Sequence, residues 1–74
     1  MDDKIFNFGD LVKLSTHGEA TLGKNEVGRR LLNQNGIIVS DLVEKINMIG
    51  YEVLFATEDK IFLSIDEIAR VKQG

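Results

Sequence analysis

The residues best equipped for chemistry sit in one polar run, THGEATLGKNEVGRRLLNQNG, from Thr16 to Gly36. It holds the chain's single histidine, His17, preceded by Ser15 and Thr16. A hydroxyl and an imidazole are the material of a nucleophile–base pair. Neighbours in sequence form no relay, however, unless the backbone turns them together and a third group orients the base. His17 therefore reads as an exposed loop histidine. The run also contains Gly18-x-x-x-x-Gly23-Lys24, most of a phosphate-binding pattern, but Asn25 stands where that pattern needs Ser or Thr. No buried parallel strand precedes it and no long helix follows, so it carries no nucleotide site. Arg29 and Arg30 are different: guanidinium groups suit bidentate contact with carboxylate or phosphate. With His17 and Lys24 they form the candidate interaction loop.

Other chemistry is poorly supplied. The acid pairs Asp2–Asp3, Glu58–Asp59 and Asp66–Glu67 are sequence neighbours, which on a strand would point to opposite faces, and none has the spacing of a calcium loop. These acids read as turn and cap residues. Without cysteine, neither disulfides nor thiolate metal ligands are available. No catalytic, cofactor-binding or metal-binding set is expected, and the chain reads as no enzyme.

The elements that must position this run belong to a small chain. Its 74 residues make one domain, 1–74, near the lower limit for a self-sufficient core. With 43% hydrophobic and 28% charged residues, the composition is that of a soluble globular domain. No stretch approaches the roughly 20 apolar residues that span a bilayer, so no membrane partner is expected. The N-terminus, MDDKIFNF, lacks an apolar run after a basic start and does not read as a signal peptide. Together with the missing cysteines, this suits the cytoplasm. The net charge is −3, which disfavours phosphate binding over the whole surface. Between Ser15 and Gly36, however, three basic residues meet two acids, against six and ten in the remainder. The run is slightly basic on an acidic body.

Strand signals flank it. FGDLVKL opens with a Gly-Asp turn and then alternates, with Val12 and Leu14 sharing a face. GIIVSDLV is β-branched and begins at Gly36. EKINMIG reads as a loop or strand extension ending in a glycine turn. YEVLFA alternates Tyr51, Val53 and Phe55 against Glu52, Leu54 and Ala56. TEDK is a tight turn, and IFLS pairs back. Ser64 with Glu67 forms a capping-box pattern, and Ile65 and Ile68 fit one helical or 3₁₀ turn before ARV closes as a last strand. The expected inward set is Val12, Leu14, Ile38, Val53, Phe55, Leu63, Ile65 and Ile68. Within the polar run, Asn25 can cap a short helix whose Val27, Leu31 and Leu32 cover an open end of the sheet. Gly28 in its middle costs about 1 kcal/mol against alanine, which limits the helix to one or two turns.

The motifs GDLVKL, GIIVSD, YEVLF and SIDEI, in this order, resemble those of small Src-homology-3-like barrels and the related KOW-type barrels. Many short uncharacterised proteins of tailed phages and bacteria are similar. The resemblance spans Phe8 to Val71 and implies a mainly β, five-stranded barrel with a long first loop beside the ligand surface. It implies a non-enzymatic protein-interaction module, phage-encoded and host-interacting or accessory. The alternative is a KOW-like barrel that binds nucleic acid through the basic loop. Unpaired sheet edges would offer a route to homo-oligomers.

Overall fold

The computed structural model describes residues 5–71. The chain is mainly β, with six strands, two short α-helices and one 3₁₀ turn. In order these are β1 (Leu11–Leu14), α1 (Thr16–Leu22), α2 (Glu26–Leu31), β2 (Asn35–Ile38), β3 (Val43–Lys45), β4 (Met48–Phe55), β5 (Lys60–Ser64), the 3₁₀ turn Ile65–Glu67, and β6 (Ile68–Arg70). Every ladder is antiparallel. β4 pairs β5 on one edge and β3 followed by β2 on the other; β2 pairs β1, and β1 pairs β6. The sheet is open, ending in β5 on one side and β6 on the other.

Six strands replace the expected five because GIIVSDLV breaks. Val39 still donates its amide to the Glu52 carbonyl, but at Ser40 the side chain takes over from the backbone. Its hydroxyl accepts the Glu52 amide at 3.0 Å and donates to the Asp41 carbonyl. A side chain that substitutes for the ladder ends it locally. Beyond the break, EKINMIG is no glycine turn. It forms a β3–β4 hairpin with Lys45 opposite Met48, and Asn47 adopts the left-handed φ of 67° at the tip. Gly50 lies inside β4, where a Cβ would stand 1.9 Å from the Leu63 carbonyl oxygen, so only glycine lets β5 come this close.

One face of the sheet carries the core. Val12, Leu14, Ile38, Val53, Phe55, Leu63 and Ile68 are buried as expected, whereas Ile65 is only partly buried. Phe6, Leu31 and Tyr51 complete the cluster, with the Phe6 ring edge-on to Tyr51 and the Phe6 amide donating to the Tyr51 hydroxyl at 3.1 Å. The capping box forms as read: the Glu67 carboxylate accepts the Ser64 amide at 2.9 Å. Among the described residues, no helix is long and apolar enough to cross a membrane.

The largest departure lies between β1 and β2, where the expected long loop is two helices. Ser15 caps α1 by accepting the Gly18 amide at 3.0 Å, and Asn25 caps α2, as expected, by accepting the Gly28 amide at 2.8 Å. The segment THGEATL has almost no apolar face, so α1 is invisible to periodicity. Tertiary contact holds it instead. The Ser15 amide donates to the Glu67 carbonyl at 2.9 Å, and the Ser15 hydroxyl donates to the Asp66 carbonyl at 2.6 Å. Gly18 then faces the same Glu67 carbonyl, where a Cβ would sit 2.3 Å away. Gly28 works similarly: a Cβ there would lie 1.7 Å from the Leu22 carbonyl, so glycine allows α2 to cross the end of α1. Of the expected anchors, Leu31 is fully buried and Leu32 is partly buried against the core. Val27 points outward, and Leu22 from α1 packs on the core instead.

Candidate functional site

The candidate interaction loop does not form a single cluster: His17 lies apart from Arg30, whereas Arg29 reaches Gly23, next to Lys24. His17 is exposed in the first turn of α1, and it borders a hollow with Ser15, Ile65, Asp66 and Ile68. Lys24 is exposed in the link between the helices. The Arg29 Nε donates to the Gly23 carbonyl at 3.2 Å, satisfying the last turn of α1. Arg30 stands 3.8 Å from Asp59 in the β4–β5 turn. That turn precedes β5, whereas the residues beside His17 follow it, and a five-residue strand is about 16 Å long. His17 and Arg30 therefore mark opposite ends of β5. Both arginines remain exposed, but each has a contact within the chain.

Nor does the neighbourhood of His17 assemble a nucleophile. The Ser15 hydroxyl accepts one hydrogen bond and donates another, both to backbone, so its proton is already placed on the Asp66 carbonyl. Thr21 donates its hydroxyl to the His17 carbonyl at 2.9 Å. Among the described residues, no group of three His, Asp or Glu side chains is disposed to hold a metal ion. The Gly18–Lys24 pattern is not a loop either, since Gly18 lies within α1 and Gly23 ends it.

What the fold does assemble is an open cleft. On one side stand Glu44, Met48 and Ile49 of the β3–β4 hairpin; on the other stand Ser64, Ile65 and Asp66. Across Ile65 and Asp66 the surface continues into the hollow beside His17. The cleft has a mixed character, with an apolar lining and carboxylates at its rim. Lys45, though it borders the cleft, holds its ammonium 4.2 Å from the centre of the Phe62 ring on β5, reached across β4. Apolar side chains crown the hairpin: Ile46 at the tip is 90% exposed, and Leu42, Met48 and Ile49 are exposed as well. Scattered exposed apolar residues are ordinary, but here four fall within eight positions at and just before one hairpin, with Met48 and Ile49 on its two faces.

Sequence reasoning missed this hairpin. Its signal was present in Asn47, a residue type that tolerates the left-handed turn position, flanked by runs that can pair. Exposure of Ile46 had no signal, because an isoleucine in a strand pattern is normally read as core. Comparison with protein-family models, curated proteins and solved structures returns no match for this chain.

Proposed function

We propose that this chain is a non-enzymatic, cytoplasmic protein-interaction module, a Src-homology-3-like barrel in architecture, that binds its partner in the cleft between the β3–β4 hairpin and the 3₁₀ turn. The observation that carries this reading is the exposed apolar crown of the hairpin beside that cleft. Leaving such side chains in water forgoes about 25 cal/mol for each Å² of apolar surface, and a partner that covers them recovers it. The rim adds specificity. Glu44 is exposed on the cleft side while Lys45 is turned to Phe62, so a segment with apolar and basic side chains complements the surface. The resemblance to short phage proteins makes a host protein or another virion component the natural source of such a segment.

The test is selection from a random peptide library followed by amide chemical-shift mapping. Enriched peptides should combine apolar and basic residues and should shift the amides of Glu44–Ile49 and Ser64–Ile68. Ile46→Asp with Ile49→Asp should abolish binding without unfolding the domain. An empty selection, or shifts confined to the helices, would overturn the reading. A parallel titration with single-stranded RNA and duplex DNA at low salt addresses the nucleic-acid alternative. Salt-dependent binding lost on replacing Arg29 and Arg30 by alanine would favour that alternative instead.

A further inference from the structure

The outer face of the sheet breaks the rule that one face of an antiparallel sheet is apolar and the other polar. Register places Leu11 opposite Ile37 and Ile37 opposite Leu54, so these three side chains form a straight row on the face away from the core. The row extends towards β6 at Val71, whose amide donates to the Leu11 carbonyl, and stops at Lys60 on β5. Ile37 is 44% exposed and Leu54 is 40% exposed. In the neighbouring row, Val39 is bonded to Glu52, which lies opposite Phe62. Three central strands thus present apolar residues where water should be.

Besides Lys60 at its β5 end, the row is flanked by two charges placed about Ile37. Lys13 lies one strand away on β1, displaced towards Asn35; Glu52 lies one strand away on β4, displaced equally towards Val39. Among the described residues, neither has an ion-pair partner. The positive and the negative side chain are therefore equidistant from Ile37 and on opposite sides of it.

We infer that the outer sheet face, centred on Ile37, is a two-fold docking surface for a second copy of this chain. An isologous interface requires a patch complementary to itself. A two-fold axis parallel to the sheet, passing above Ile37 on the outer side and perpendicular to the Lys13–Glu52 line, sets Ile37 against its own copy. The same operation places Lys13 of each copy opposite Glu52 of the other. A heterologous partner would impose no such symmetry on the charges. This surface lies on the outer face of the sheet, whereas the sheet edges remain available for other contacts.

The patch is small. Four strands at about 4.8 Å spacing and two rows about 7 Å apart cover much less than the roughly 800 Å² per partner of a typical stable complex. The dimer is accordingly weak and forms only at high concentration.

Sedimentation velocity over a concentration series, up to about 1 mM, tests the proposal, with circular dichroism confirming the fold of each variant. The wild type should move from monomer towards dimer, and Ile37→Lys should stay monomeric. Lys13→Glu alone and Glu52→Lys alone should each weaken association by about tenfold, since either change removes two symmetry-related pairs. The combined Lys13→Glu, Glu52→Lys variant should restore it. A wild type that stays monomeric throughout would overturn the inference, as would a double swap that associates no better than the single changes. The peptide-binding cleft is a separate surface, so Ile37→Lys should leave peptide binding intact.

Discussion

The helical connection between β1 and β2 and the β3–β4 hairpin differ in a way that inverts their appearance in sequence. The connection is rich in polar and charged residues, yet much of its hydrogen-bonding capacity serves its own fold. Ser15 and Asn25 cap helices, Arg29 closes the end of α1, Arg30 reaches Asp59, and Leu31 is buried in the core. The hairpin is short and apolar, as a core element would be, but its side chains stand in water. Residue type alone is thus a poor guide to a binding surface. What matters is whether a side chain's preferred contact has already been made inside the chain.

Substitutions can break this contrast, and the largest effect belongs to Leu31. Leu31→Ala should destabilise the domain by about 2–5 kcal/mol in a denaturant titration, because a fully buried leucine leaves a cavity. If the midpoint does not move, the connection is an appendage and the contrast fails. Gly28→Ala comes next, at about 1–3 kcal/mol, since its methyl would collide with the Leu22 backbone carbonyl rather than a yielding side chain. Intermediate is Glu58→Gly, which should raise stability by about 1 kcal/mol by relieving the φ of 73° in the β4–β5 turn, and so calibrates turn strain away from both regions. Smaller still is Ile46→Ser at the hairpin tip, with a stability change within about 0.5 kcal/mol and a loss of peptide binding as its main readout. Arg30→Ala should likewise cost less than about 1 kcal/mol, because its ion pair with Asp59 is long and solvent-exposed.

Much of the sheet was legible because local rules suffice for it. The alternation in YEVLFA placed Val53 and Phe55 inward, and Ser64 with Glu67 marked the 3₁₀ turn. Asn25 announced α2 by its capping chemistry. The candidate site was less legible. His17, Lys24, Arg29 and Arg30 are near one another in sequence, but β5 separates His17 from Arg30. Helix α1 had no periodic signature, since its stability derives from Ser15 and Gly18 docking on the backbone at Asp66 and Glu67, about 50 residues later. The break at Ser40 depended on a hydroxyl finding the Glu52 amide across the sheet.

By itself, the order of residues determined a small, mainly β chain with most of its core, the β4–β5 turn and the capped 3₁₀ turn. These follow from the two-residue period of strands and from short-range hydrogen bonds, which neighbours along the chain decide. Tertiary structure alone decided that THGEATL folds as α1, that Ile46 stands exposed at the hairpin tip, and that Leu11, Ile37 and Leu54 align in one row. Those outcomes depend on register and close backbone approach between distant segments. A two-residue shift in register would leave Ile37 on the outer face but move it out of line with Leu11 and Leu54, which is why no local pattern could align the row.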